Sequence, residues 1–198
     1  MTETNPVSAT QDKVIFGLEN VTIFPKEGDL SWGSPIRLLG AVQVALNPSG
    51  SSNPFYADNQ IFFNAISNTG WSGDLEMALF PDEFYVACLG WRIDDNGALV
   101  EASDAVAKEF ALAFEVSGDQ KNRRVVFYNC TATRPADENK TKEETITPQT
   151  QKSTITATPV KFPSITTARA VLPYSEEKKD VWEKFYESVY VPAFGNAA

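Results

Sequence analysis

The chain has 198 residues, enough for one folded domain with a real core and short for two. Acidic residues outnumber basic ones 26 to 17, for a net charge of −9. That balance argues against a nucleic-acid binder or a protein drawn to anionic membranes, both of which need a basic surface. Histidine is absent, which excludes Ser-His-Asp and Cys-His nucleophile pairs, a histidine general base and His-ligated metals, and leaves an enzyme only carboxylate, Lys or Tyr chemistry.

Residues 1–12 are polar, lack the apolar stretch of a secretory signal, and read as a flexible N-terminal arm. No run of about 18 apolar residues occurs, so no membrane-spanning segment is expected. Residues 13–192 then read as a single β-rich domain, with 193–198 as a short tail. KVIFGLENVTIF (Lys13–Phe24) is rich in β-branched and aromatic residues and predicts a strand with a break at Gly17. PKEGD reads as a turn. LSWGSPIRLL is interrupted by Gly33 and Pro35, which suits an edge strand or two short pieces. AVQVALNP alternates, placing Val42, Val44 and Leu46 on one face. NPSGSSNP has loop composition, and FYADN and IFFNAIS predict short strands around a polar turn. In GWSGDLEMALFP, Asp74, Glu76 and Ala78 alternate with Leu75, Met77 and Leu79, a half-buried strand with an acidic outer side.

PDEFYVACLG changes period. Pro81 suits the first helical position, Asp82 and Glu83 complement the helix dipole, and Gly90 suits a left-handed stop. IDDNGALVE predicts a hairpin turning at Asn96-Gly97. KEFALAFEVSGDQKNRRVVFYNCTAT predicts a longer hairpin. Phe110, Leu112, Phe114 and Val116 share one face, and Val125, Phe127, Asn129 and Thr131 alternate with Val126, Tyr128, Cys130 and Ala132 on the return. KSTITATP alternates again, and ITTARAVLP reads as a further strand. SEEKKDVWEKFYESVYVP closes the chain as an amphipathic helix over 175–189, N-capped by Ser175, with Trp182, Phe185, Tyr186 and Val189 as its packing stripe. Strands dominate without alternating with helices, so the expected class is mainly β (α+β): a β-sandwich or barrel with one short internal helix and one C-terminal amphipathic helix.

Candidate chemistry is sparse. Asp74 and Glu76 share one side of a strand, about 7 Å apart by strand rise, within the range of paired glycosidase carboxylates. Alternating acids on a solvent face explain them better. Asp94, Asp95 and Asn96 fit turn chemistry better than a calcium loop. Lys121, Arg123 and Arg124 form the basic cluster, read as a solvated hairpin tip. Cys88 and Cys130 match no metal or redox spacing and read as buried, reduced hydrophobes. Trp32, Phe55, Tyr56 and Trp71 lie near loops and suit either sugar stacking or an interface. Unexplained aromatics without catalysts make binding or assembly the better expectation: no enzyme, no cofactor and no metal.

Several segments, in order and spacing, carry a resemblance: VIFGLENV, FYADNQIFF, SNTGWSGDLEMALFPDEF, VVFYNCTATRP, KTKEETITPQTQKSTITATP and WEKFYESVYVP. Over roughly 13–192 the chain resembles the major tail proteins that build the tail tube of long-tailed, non-contractile bacteriophages. The resemblance implies a tail-tube fold, six-fold rings stacked into a hollow tube, and a β-barrel inner wall shared among subunits. It also implies arms that reach the next ring and DNA passing non-specifically through the lumen. The implied partners are the protein itself, a tape-measure protein inside the tube, and tail-completion or baseplate proteins at its ends. The implied location is the virion tail, after synthesis in the host cytoplasm. A net negative charge suits a conduit, because tight phosphate contacts would act as a brake. The competing expectation is a carbohydrate- or receptor-binding β-sandwich on a virion.

The polar bridge at 134–150 is long for a compact domain. Its mixed charges (Arg134, Lys140 and Lys142 against Asp137, Glu138, Glu143 and Glu144) and its lone large aliphatic, Ile146, suit an arm that contacts a neighbouring subunit. Phe55 and Tyr56 are candidate contacts beside it, and Asp74 and Glu76 are candidate lumen- or solvent-facing acids.

Overall fold

A computed structural model describes residues 17–119, 121–139, 141 and 148–194, and the structural statements below concern these residues. The strands are β1 (Leu18–Gly28), β2 (Ser31–Trp32), β3 (Ile36–Arg37), β4 (Ala41–Ala57), β5 (Gln60–Met77), β6 (Arg92–Ile93), β7 (Leu99–Val100), β8 (Phe110–Val116), β9 (Arg124–Ala132), β10 (Gln151–Thr158), β11 (Val160–Lys161), β12 (Thr166–Thr167) and β13 (Arg169–Leu172). Helix α1 is Asp82–Leu89 and α2 is Lys179–Glu183. The main antiparallel sheet runs β2-β1-β8-β9-β10-β5-β4, with β3 on β1 and β13 on β9. This is the mainly β fold expected, with two small helical elements set against the sheet.

The central strands are apolar on both faces because both faces are covered. Val21, Ile23, Phe110, Leu112, Val125 and Phe127 enter one core, which α1 closes with Phe84, Cys88 and Leu89. Phe24, Ala111, Ala113, Val126 and Tyr128, their neighbours in sequence, enter a second core, which Val160, Phe162, Phe185 and Val189 close from the other side. The first core also takes Leu75 and Met77 from β5 and partly buried Val44 and Leu46 from β4. Residues near the two ends of the sheet thus share one core, and the sheet is curled like a barrel.

Strand β10 is covered on one side only. Ser153, Ile155 and Ala157 are buried, while Lys152, Thr154, Thr156 and Thr158 are exposed. This is the period-2 pattern read from KSTITATP.

Local signals hold where turn chemistry is strong. Helix α1 ends at Gly90 in the left-handed conformation (φ 75), with its N–H on the Tyr85 carbonyl. Pro81 sits one position earlier than expected, as the extended cap residue (ψ 157). Asp94 organises the β6–β7 turn by accepting from the backbone N–H of Asn96 (2.9 Å) and Ala98 (2.7 Å), with Gly97 at φ 85. These bonds, the Ala98 one first, lower the Asp94 pKa, as turn chemistry requires.

Several expectations are corrected. PKEGD is not a turn: Pro25 pairs with Phe110, and Lys26 donates its N–H to the Glu109 carbonyl (2.9 Å), so β1 runs on to Gly28. NPSGSSNP is not a loop, because it pairs residue by residue with β5. Val42 leaves the apolar face it was expected to share with Val44 and Leu46, because the register shifts between Ala41 and Gln43. In β9 the pairing shifts between Phe110↔Cys130 and Leu112↔Phe127. The two sides swap there, so Cys130 and Ala132 join Phe127 in the first core.

The C-terminal amphipathic helix is not continuous. A 3₁₀ turn (Glu176–Lys178), α2 and a second 3₁₀ turn (Lys184–Tyr186) replace it, and Ser175 makes no side-chain cap bond. Its aromatic residues are held by separate anchors, Phe185 in the second core and Trp182 against Arg124, which impose short segments instead of one helix.

Candidate functional site

The main projection is the β4–β5 hairpin. Its strands have 17 and 18 residues, yet β10 pairs with β5 only from Trp71 to Met77. The outer part of β5, about 11 residues at ~3.3 Å each, therefore runs roughly 35 Å past β10, with β4 as its sole partner among the described residues. Its tip turns at Asp58 and Asn59, both at positive φ (50 and 59), a two-residue reversal that these residue types tolerate. At its root Gly70 (φ 134) lets the chain pass the end of β10; a Cβ there would lie 2.1 Å from the Ala157 carbonyl oxygen.

The stem of this arm exposes Ser, Asn and Thr, whereas its tip is apolar although exposed. Phe55, Tyr56, Ile61, Phe62 and Phe63 are 58–71% exposed. Phe55 pairs with Phe63 and Tyr56 with Ile61, so the two pairs lie on opposite faces of the ribbon. From Ala41 through Gly73 the only charged residue is Asp58. A free two-stranded ribbon is marginal in water, and edges without charged guards invite pairing with another chain. The structure thus places Phe55 and Tyr56 together at the tip. Ile61, Phe62 and Phe63, which sequence reasoning missed, stand beside them. The near-absence of charge over 41–73, broken only by Asp58, was the available signal.

The second feature is a polar face. Across β9, β10, β5 and β4 the exposed to half-buried rows align Thr131, Thr156, Ser72 and Asn47, then Thr154, Asp74 and Ala45, then Lys152, Glu76 and Gln43. Asp74 accepts from the Thr154 hydroxyl (2.9 Å). Glu76 accepts from Thr150 (2.5 Å) and pairs with Lys152 (3.3 Å). The Thr150 bond lowers the Glu76 pKa, the opposite of what a general acid needs. Small hydroxyls, two acids and one lysine make this a polar face, with Glu76 offset by Lys152.

The bridge is described only in part. Lys140, Lys142, Glu143, Glu144 and Ile146 lie outside the described residues. Arg134 pairs with Glu101 of its own chain, Asp137 accepts from Asn139 (2.8 Å), and Glu138 is exposed.

Of the basic cluster, Lys121 is exposed as expected of a solvated tip, but Arg123 and Arg124 are held by acidic partners. Arg124 is nearly buried: it pairs with Glu115 (3.1 Å) and lies 3.3 Å from the centre of the Trp182 ring, clamping the C-terminal segment to the sheet. Arg123 binds Asp119, which is buried and also accepts the N–H of Lys121 (3.3 Å) and Arg123 (3.2 Å). The Arg123 side chain first, then these N–H groups, hold the Asp119 carboxyl below its ordinary range. An unfolded Asp titrates near pH ~4, so this stabilisation is complete above about pH 4 and is lost as pH falls through the lower folded value. Asp119→Asn should lower the melting temperature at pH 7 by about 3–6 °C. The difference from wild type should shrink on acidification, and thermal melts from pH 7 down to 2.5 test this; a pH-independent difference refutes it.

No known protein-family model matches the chain, and no curated protein does so. Among solved structures, the chain is similar to the anti-feeding prophage cap, the AFP tube terminating cap, solved by cryo-EM. The likeness covers 78% of this chain and 89% of that one at 7% identity, with a TM-score of 0.41.

Proposed function

We propose that this is a structural, non-enzymatic virion protein that polymerises with itself into stacked six-membered rings, forming the tube of a long phage tail. The observation that carries the self-assembly is the projecting hairpin: a two-stranded, almost uncharged arm with a large apolar tip that its own chain leaves uncovered. Such a patch on a β ribbon suits a second β surface. The ring number, the tube and the phage tail come from the sequence resemblance. Residues 134–150 act as a second contact.

In this reading the wall bearing Asp74 and Glu76 lines the lumen and lets DNA pass without gripping it. Tape-measure protein occupies the lumen, and tail-completion or baseplate proteins close the ends. A sugar-binding β-sandwich on a virion fits less well. That role expects a concave cluster of Trp and Tyr, whereas this tip is a convex wedge of mostly Phe and Ile.

The test is negative-stain electron microscopy of the purified protein at rising concentration. Hollow tubes or six-fold rings are expected. A protein that stays strictly monomeric overturns the proposal.

A further inference from the structure

Three polar side chains on adjacent strands close into a triad. Lys26 lies on β1, Glu109 just before β8 and Asn129 on β9, and these strands are neighbours in the sheet. Lys26 Nζ donates to Glu109 Oε2 (2.6 Å) and to Asn129 Oδ1 (2.8 Å). Asn129 Nδ2 donates to the other Glu109 oxygen, Oε1 (2.8 Å), and to the Thr158 hydroxyl (2.8 Å). Both amide hydrogens of Asn129 are thereby engaged, and its carbonyl faces the amine. Oδ1 lies about 1.2 Å from Cγ, so Nζ stands within about 4 Å of that carbon.

We infer that Lys26 and Asn129 join covalently: the amine attacks the side-chain amide, with Glu109 as proton carrier, to give an intramolecular isopeptide bond and free ammonia. Glu109 takes a proton from the Lys26 ammonium along their hydrogen bond, which frees the nitrogen lone pair. Nζ then bonds to Cγ. Glu109 passes the proton to the amide nitrogen, through the contact its other oxygen already makes with Nδ2, and the Cγ–Nδ2 bond breaks. Nζ gives up two protons in all: one turns the leaving amide nitrogen into ammonia, and the other departs with it as ammonium. No oxidant and no outside reactant is needed.

The surroundings suit this step. Amine, amide and proton carrier are already in contact, so the reaction needs no further encounter. The Lys26 side chain is 17% exposed and that of Glu109 45%, so the amine is largely shielded while ammonia has a way out. Trp32, opposite Lys26 across the β1–β2 pair, donates its indole N–H to the Tyr128 carbonyl (3.2 Å) and adds to the shielding. Shielding from water favours the neutral amine that attacks. Lys26 first, then Asn129, hold the Glu109 carboxyl below its ordinary range, so it stands ionised as the proton acceptor. The bond ties β1 to β9 across β8 and spans 103 positions of the chain, a constraint on the unfolded state like that of a disulfide. It forms within one chain, whether or not copies assemble.

Mass spectrometry of the full-length protein under denaturing conditions tests it. The wild-type chain should be lighter than its sequence by one ammonia, about 17 Da. A protease digest should contain a branched peptide joining the segments around Lys26 and Asn129. Glu109→Gln keeps the shape of the side chain without the base, and should show the full mass of its own sequence and no branched peptide. Lys26→Arg should do the same, because a guanidinium stays protonated, and it decides the matter if Glu109→Gln misfolds. A wild-type chain still at full mass after days in the folded state overturns the inference and leaves the triad an ion pair only. So does an ammonia loss that maps elsewhere, such as to Asn96 before Gly97, without a branched peptide. A branched peptide in Glu109→Gln overturns the role of Glu109. None of these outcomes bears on the self-assembly proposed above.

Discussion

A chain carrying Phe62→Asp and Phe63→Asp together should fold normally and fail to assemble. Neither ring touches either core, and both are largely exposed, so the melting temperature should stay within about 2 °C of wild type, as for surface substitutions generally. Assembly should suffer heavily. Burying one Phe contributes about 1.5–3 kcal/mol, so losing two removes about 3–6 kcal/mol per contact, before any cost of burying the new carboxylates. At about 1.4 kcal/mol per tenfold, the concentration required for assembly should rise by at least ~100-fold. Sedimentation velocity across a concentration series reads the shift, with circular dichroism melts as the folding control. Assembly at the wild-type concentration would remove the hairpin tip from any role in polymerisation.

Phe84→Ala should be the most damaging single substitution in α1. Phe84 is fully buried, its ring lies 4.4 Å from that of Phe80 and 6.4 Å from that of Phe110, and it ties the helix to β8. Truncation removes the transfer free energy of the ring and leaves a cavity that rigid strand neighbours cannot fill, a cost of about 3–5 kcal/mol. For a chain of this size that corresponds to a fall in melting temperature of about 6–20 °C. Phe84→Leu should recover most of the loss, since it keeps much of the volume. Chemical denaturation with urea gives the free energies. A loss below about 1 kcal/mol for Phe84→Ala would show that α1 does not close the first core.

The two predictions separate the two kinds of apolar surface on this chain. Phe84 and Phe62 are the same residue type in segments of similar hydrophobicity. One is enclosed by α1, β8 and the 78–81 segment, and the other points into solvent from a ribbon with a single partner strand. No periodicity distinguishes them, because exposure depends on what lies across the sheet.

Much of the fold was legible locally. The helix at 82–89 follows from Pro81, two acids and Gly90; the β6–β7 turn follows from Asp94 and Asn96-Gly97; the half-buried strand at 151–158 follows from strict alternation, as does the stretch from Asp74 to Met77, while Leu79, expected on the same apolar side as Leu75 and Met77, lies past the end of the strand and is exposed. Each of these signals acts within a few residues, through turn stereochemistry, capping or the pleat of one strand. Candidate surfaces were legible in part. Phe55 and Tyr56 stood out as unexplained aromatics, and Asp74 and Glu76 as an acidic outer side, whereas five of the candidate contacts in the bridge lie outside the described residues.

Tertiary structure decided what depends on distant partners. NPSGSSNP has loop composition, but β5 offers it a complete ladder, and backbone pairing outweighs weak strand propensity. Arg124 looks like a hairpin-tip charge until Glu115 and Trp182 enclose it. Cys130 changes face because β8 imposes a register shift on β9. The stripe Trp182-Phe185-Tyr186-Val189 has helical spacing, but its anchors sit at different places on the sheet and divide the helix. The sequence by itself thus determined the mainly β class, the position of its regular internal helix, and an acidic overall balance, because composition and local stereochemistry suffice for these. Only the tertiary structure showed that 41–77 forms one long arm with its apolar tip uncovered, since whether a strand is covered depends on chain segments far away in sequence.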